Sequence, residues 1–263
     1  EGFANNEMAA LRVAIAFIAL SPIALRNLKL YVSPYGKWVM ISAIFGNLIP
    51  AFLFAKAQTV VSSGLAGMLN SLTPLFTLII AFVFFKVKLS WLKTAGVLIG
   101  LAGSVSIIYL SKSITLDSNY HYSFLIVAAT LCYGISVNVL KEKLSEISAS
   151  VITSLAFFSI GPACIAYLLL FTNFTSSVAS DKGLISLGYI AVLAIVGTAI
   201  AVILFNELIK HTTSIFASSV TYFIPFVALL WGVFDGEVIQ ISQLLSFLLV
   251  LCGVYLVTSS RKG

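Results

Sequence analysis

Two short stretches carry polar groups at helical spacing inside apolar surroundings. One presents Ser63, Gly67, Asn70, Pro74 and Thr77, the other Ser214, Ser218, Thr221, Pro225 and Ala228. Steps of four and three residues place each set on one face of a helix. An amide or hydroxyl among apolar neighbours is costly unless it meets a partner. A proline frees a backbone carbonyl and bends the helix. Such faces offer hydrogen bonding to a small ligand rather than bond-making. The candidate ligand contacts are Asn70, Thr73, Thr77, Ser218, Thr221 and Tyr222, joined by Asn47, Tyr133 and Asn138 on neighbouring apolar stretches. Pro74 and Pro225 are candidate hinges. Tight helix packing through small residues and hydroxyls is the competing reading.

Ionisable groups are few. Arg12, Lys56 and Glu207 are candidate gate or coupling residues, and each also reads as a solvated or snorkelling helix end. No Asp, Glu or His falls deep in an apolar run, so no proton relay is visible. Enzyme chemistry finds no footing: there is no HExxH, and no Gly-rich loop followed by Lys-Ser or Lys-Thr. No catalytic residue, cofactor or metal site is expected. Cys132, Cys164 and Cys252 lie in separate apolar runs and read as buried small hydrophobes.

The elements that position these groups follow from composition. Hydrophobic residues make up 60% of the chain and charged ones 9%, and the mean hydropathy is +1.10. A soluble domain carries about 25% charge. A chain this apolar belongs in a bilayer, where only helices or a closed barrel satisfy the backbone. The apolar runs are long and continuous rather than alternating, so the fold class is all-α membrane protein. Nine spans are predicted: Ala9–Leu25, Trp38–Phe54, Ser63–Phe85, Leu92–Leu110, Phe124–Leu140, Val151–Phe171, Leu184–Phe205, Ile215–Phe234 and Ile241–Val257.

The net charge of +6 sits in short connections and reports topology rather than nucleic-acid binding. Threading nine spans collects Arg26, Lys29, Lys37, Lys86, Lys88, Lys93, Lys141, Lys143, Lys210, Arg261 and Lys262 on one side. The other side receives only Arg12, Lys56, Lys112 and Lys182. The rule places the C-terminus in the cytoplasm and residue 1 outside.

The chain also repeats itself. Gly46, Phe54, Ser63 and Pro74 recur at one constant offset as Gly197, Phe205, Ser214 and Pro225, and Asn47 pairs with Thr198. The matched spans have opposite orientation by the charge bias, which defines an inverted-topology repeat. The first copy covers residues 1–117 with four spans, the second 118–263 with five. The repeat thus predicts a further span ahead of residue 1 and ten in all. Gly96, Gly100 and Gly103 permit close helix approach and are expected to meet the last span at Ser246 and Gly253.

Several segments match a known pattern. They are "FLFAKAQTVVSSGLAGMLNSLTPLFTLIIAFVFF" (52–85), "ILFNELIKHTTSIFASSVTYFIPFVALLWGVFDGE" (203–237), "ALRVAIAFIAL" (10–20) with Arg12 near its start, and "LCYGISVNVLKEK" (131–143). With them the chain resembles the EamA-like branch of the drug/metabolite transporter superfamily, lacking its first transmembrane helix. Glu237 matches an acidic residue of the family pattern, and the first copy has no acid near Val87. The resemblance implies ten helices in two inverted five-helix repeats around a central pocket, working by alternating access. It further implies export of an amino acid or related metabolite, mostly across bacterial inner membranes. The expected partners are a small-molecule substrate and the lipid bilayer, with no nucleic acid; the sequence carries no signal for an oligomeric state. A non-transporting receptor or scaffold and a lipid-handling protein are the alternatives.

Overall fold

The computed structural model describes residues 3–86, 91–110, 120–180, 183–234, 236 and 240–259. Among them all regular structure is helical. The helices are α1 (Asn5–Arg26), α2 (Lys29–Val32), α3 (Gly36–Ala43), α4 (Ile49–Ala57), α5 (Ser63–Asn70), α6 (Thr73–Phe85), α7 (Trp91–Leu110) and α8 (Tyr120–Lys143). The chain continues through α9 (Ala149–Phe171), α10 (Phe174–Val178), α11 (Gly183–Ala194), α12 (Ala201–His211), α13 (Ser214–Ser219), α14 (Phe223–Phe234) and α15 (Ile241–Ser259). A π-helical turn, Ile44–Leu48, joins α3 to α4, and a second, Ile195–Ile200, joins α11 to α12. A 3₁₀ turn, Val220–Tyr222, separates α13 from α14.

Among the described residues, six helical segments are long and apolar enough to cross a membrane: Asn5–Arg26, Gly36–Ala57, Ser63–Phe85, His121–Lys143, Ala149–Phe171 and Gly183–His211. Two shorter apolar stretches, Thr94–Gly103 and Leu244–Leu256, lie in α7 and α15. Helix starts follow hydroxyl chemistry. Ser62 Oγ accepts from the Leu65 amide at 3.3 Å and Thr213 Oγ1 from the Phe216 amide at 3.2 Å, each satisfying an end donor. His121 lies within α8 and His211 ends α12, where the sequence pattern reads both as loop residues. Cys132 and Cys164 are buried as expected, whereas Cys252 is exposed.

The chain forms two compact units, Glu1–Ala55 with Val139–Thr212, and Lys56–Asn138 with Thr213–Gly263. Each draws on both halves of the sequence. In the first, α1 packs along α9, and α3 and α12 pack on α9 as well. Gly161 makes the α1 contact possible, because a Cβ there would stand 2.3 Å from Phe17 Cβ. Buried Asn206 donates to Thr153 Oγ1 at 2.9 Å, tying α12 to α9. Lys141 Nζ donates to the Lys210 carbonyl at 3.0 Å, filling an end acceptor of α12. In the connection after α1, the Tyr31 hydroxyl bonds the Leu155 carbonyl and the Ser159 hydroxyl. Burial pushes its phenol above the ordinary range, against the smaller opposing effect of Ser159. Tyr35 donates to Glu146 Oε2 at 3.1 Å, and this bond to a carboxylate raises the Tyr35 phenol. Lys37 and Lys143 stand 5.0 and 5.6 Å from the Trp38 ring centre, within cation–π range.

In the second unit α7 and α15 are backbone-close, as the glycines predict. A Cβ on Gly253 would lie 2.4 Å from the Gly100 amide nitrogen and 2.5 Å from the Gly96 carbonyl oxygen. One on Gly103 would lie 2.8 Å from the Val250 nitrogen and 2.9 Å from the Ser246 oxygen. Rising numbers in α7 meet falling numbers in α15, so the pair is antiparallel. The broken helices behave alike: α5 packs on α14, and α6 on α13, which sets the two breaks antiparallel too. Gly134 brings α8 against α6, since its missing Cβ would sit 3.0 Å from the Phe76 carbonyl carbon and the Thr77 nitrogen.

Candidate ligand-binding site

The polar face expected on residues 63–77 lies in the second unit, at an interruption of the helix. α5 stops at Asn70, Ser71 and Leu72 form a turn, and α6 restarts at Thr73. Pro74 stands in the first turn of α6, where a missing amide costs nothing because early amides have no helical partner. The expected bend at Pro74 is therefore a break. Proline deprives the Asn70 carbonyl of its helical donor, and Thr73 Oγ1 supplies one instead at 2.8 Å. Thr77 Oγ1 donates to the Thr73 carbonyl at 2.8 Å, and the Ser71 hydroxyl to the Met68 carbonyl. Asn70, Ser71, Thr73 and Thr77 are all buried.

Asn138 joins this column from α8. Its Nδ2 donates to the Thr77 carbonyl at 2.8 Å and to the Gly134 carbonyl at 2.9 Å. Both amide protons are thereby used, and Gly134 allows the approach. On α13, buried Ser218 donates to the Ile215 carbonyl at 2.9 Å, and half-buried Thr221 of the following 3₁₀ turn donates to the Ser218 carbonyl at 2.6 Å. Tyr133 is half-buried on α8 and Ser136 is buried beside it. The side chains of Tyr222 and Pro225 lie outside the described residues, as do Val87 and Glu237.

One group in the column has no partner. Asn70 is 5% exposed, and among the described residues no hydrogen-bond donor reaches its Oδ1. Among the described residues only Ser123 Oγ shares this condition. It lies in the first turn of α8, about 16 Å along the helix from Gly134 at 1.5 Å per residue. Buried polar atoms are nearly always satisfied, so an orphan calls for an explanation such as a ligand.

The remaining expected residues fall elsewhere. In the first unit Arg12 Nη2 and Nε donate to Thr198 Oγ1 at 3.0 and 3.2 Å. Thr198 is buried in the second π-helical turn, and Asn47 is half-buried in the first. Lys56 is exposed near the end of α4. Glu207 lies 2.8 Å from His211 Nε2, four residues on, with its side chain 47% exposed. Sequence reasoning missed Thr198 as the seat of Arg12, the two π-helical turns, and Gly134 with Asn206 as packing devices. The one available signal was the pairing of Thr198 with Asn47 in the repeat.

Apolar helices of spanning length, backbone-close glycine contacts and a buried neutral polar column define a multi-pass helical membrane protein. The EamA-like transporter family model matches residues 1–109 and 122–259, and the chain belongs to that family. It is 26% identical over 256 residues to an uncharacterized transporter of Archaeoglobus fulgidus, covering 97% of this chain and 88% of the relative. It is 26% identical over 255 residues to the uncharacterized inner membrane transporter YedA of Escherichia coli K12, covering 95% and 79%. A solved crystal structure shares the fold with a TM-score of 0.68 at 18% identity, over 98% of this chain and 88% of the other. The protein is thus a membrane transporter by family.

Proposed function

We propose that this protein is a secondary carrier that exports a small organic metabolite, an amino acid or related compound, across the inner membrane by alternating access. The single observation that carries the reading is the buried, uncharged polar column at the α5–α6 break, with its unpartnered Asn70 oxygen. Helices interrupted at membrane depth are where carriers place their ligands. Asn70, Thr73, Thr77, Asn138, Ser218, Thr221, Tyr133 and Tyr222 form the substrate contacts of the second unit, and Asn47 is a separate candidate contact in the first unit. The breaks at Pro74 and Pro225 act as hinges, and Arg12, Lys56 and Glu207 as gating or coupling groups.

The architecture assigned here is nine spans arranged as inverted repeats over residues 1–117 and 118–263, with the C-terminus cytoplasmic and residue 1 external. Local structure supports this beyond the sequence match. The capping hydroxyls Ser62 and Thr213 hold equivalent positions, as do their acceptor contacts with Leu65 and Phe216. The two π-helical turns start at the equivalent residues Ile44 and Ile195. Equivalent helices pair antiparallel, α7 with α15 and the α5–α6 break with the α13–α14 break, as a two-fold axis in the membrane plane requires.

The test is reconstitution in liposomes with a panel of radiolabelled amino acids and related metabolites, measured by counterflow. Substrate flux should fall at least tenfold in Asn70→Ala and Thr221→Ala, on the order of 1.4 kcal/mol of lost binding. Unchanged flux in both variants would remove the pocket assignment. Binding without counterflow would turn the protein into a receptor.

A further inference from the structure

We propose that the α5–α6 break holds one monovalent cation, with Asn70 Oδ1 as its principal ligand. The proposal deepens the carrier reading and rests on it only for what the ion does, not for whether it binds. Apart from the Asn70 amide nitrogen, the column's hydrogen-bond donors described above are spent. The hydroxyl protons of Ser71, Thr73, Thr77, Ser218 and Thr221 all go to backbone carbonyls, and both amide protons of Asn138 do the same. What it retains are oxygen lone pairs. Chief among them is Asn70 Oδ1, nineteen-twentieths buried and unpartnered. An acceptor-rich, donor-poor site repels anions and favours a positive guest.

Three further features fix the guest's character. The Asn70 side chain stands at the C-terminal end of α5, where the helix macrodipole is negative and cations are favoured. The described residues of the column carry no carboxylate, and no cluster of His, Cys, Asp or Glu among the described residues could hold a metal ion. A neutral oxygen cage suits a single charge, because divalent ions demand carboxylates to offset their desolvation. The repeat equivalent of Asn70 is Thr221, whose hydroxyl is satisfied. Among the described residues, Asn70 is therefore the one such acceptor of the two repeat-related positions. Thr73, whose hydroxyl reaches back to the Asn70 carbonyl, is the adjacent second ligand. Sodium, potassium and the ammonium head of an amine share this chemistry.

The experiment measures the unfolding midpoint of the purified full-length protein in lipid nanodiscs, in sodium, potassium or methylammonium chloride against choline chloride at equal ionic strength. A guest that binds only the folded state raises the midpoint saturably. At least one of the three cations should do so in the wild type. Asn70→Leu should abolish the rise, and Asn70→Asp should tighten the apparent affinity about tenfold or more through its added charge. A rise with sodium or potassium identifies a free ion, and one with methylammonium alone identifies the amine head of a substrate. No rise with any of the three, or an equal rise in Asn70→Leu, overturns the proposal. Solute flux from the same preparation separates the two readings. Flux without cation-specific stabilisation sinks the cation site alone, and stabilisation without flux sinks the carrier alone.

Discussion

Replacing each of two buried asparagines of one column by leucine should move stability in opposite directions. Asn138 makes two hydrogen bonds, to Thr77 O and Gly134 O, at 2.8 and 2.9 Å. Bonds of this kind contribute on average about 0.6 kcal/mol each between membrane helices, up to about 1.7. Their carbonyl acceptors also serve the helices they belong to, so neither is orphaned by the change. Asn138→Leu should therefore destabilise by about 1–3 kcal/mol. Asn70 is the reverse case, because its buried Oδ1 has no donor. An unsatisfied buried polar atom costs about 1–3 kcal/mol, which a leucine of the same branching and heavy-atom count removes. Asn70→Leu should thus stabilise the protein in choline chloride while abolishing solute flux, the exchange of stability for activity expected at a functional site. Denaturant unfolding in detergent micelles, paired with flux in liposomes, measures both quantities. If Asn70→Leu loses as much stability as Asn138→Leu, the Asn70 amide is structural and the argument for a ligand fails.

The glycine contacts give a matched pair: Gly253→Ala would set its Cβ 2.4 Å from the Gly100 nitrogen and must push the two helices apart to ordinary contact. It should cost about 1–3 kcal/mol, whereas Gly188→Ala in α11, with nothing within 4 Å, should be neutral or stabilise by up to about 1 kcal/mol. Equal effects in an unfolding assay would refute the close packing of α7 and α15. The Tyr31 phenol is raised from 10.0 by burial, so folding favours its neutral form. That stability is fully present below pH 10.0 and is lost as pH climbs through the raised value. Tyr31→Phe should flatten this alkaline decline in a pH series of unfolding midpoints. For Arg12 and Thr198, a double-mutant cycle of Arg12→Gln and Thr198→Val should show a coupling of about 1–2 kcal/mol; additivity within about 0.5 kcal/mol would mean that the two bonds stabilise nothing.

The sequence made the fold class legible because lipid leaves so few options. Six of the nine predicted runs lie in helices that are, among the described residues, long and apolar enough to span, from Asn5–Arg26 to Gly183–His211. The α7–α15 contact was readable for a similar reason, since glycines at helical spacing have little use other than close approach. The polar column was readable as a set of residues but not as a hydrogen-bond map. Residue types alone cannot show that Thr73 takes over the carbonyl freed by Pro74, or that Asn138 is satisfied while Asn70 is not. Both depend on where the backbone breaks, and a two-residue turn at Ser71–Leu72 leaves little mark on composition. The π-helical turns escaped for the same reason. Each inserts one residue into an otherwise regular apolar helix, and the hydrophobic pattern is too uniform on all faces to register the slip.

That uniformity bears on how such a protein works. In a soluble enzyme, function announces itself as charge or as a reactive group against a quiet background. Here the described column holds no charge, and its hydroxyls and amides are nearly all spent on the protein's own backbone. Satisfied groups of this kind are inexpensive to bury and change little if helices shift, because most of these hydroxyls bond within their own segment, the Thr73 bond across the α5–α6 break to Asn70 excepted. Thr77 to Thr73, Thr221 to Ser218 and Ser218 to Ile215 would all survive rigid movement of the segment that carries them. The bond from Asn138 to Thr77 is different, since it joins α8 to α6. Under the proposed carrier reading, a ligand at Asn70 would meet a site most of whose local parts keep their hydrogen bonds when helices move. Only a few inter-helix ties, such as that of Asn138, need to be broken or kept. A carrier requires this division, because a site that had to re-form its own bonds at every cycle would add their cost to each crossing.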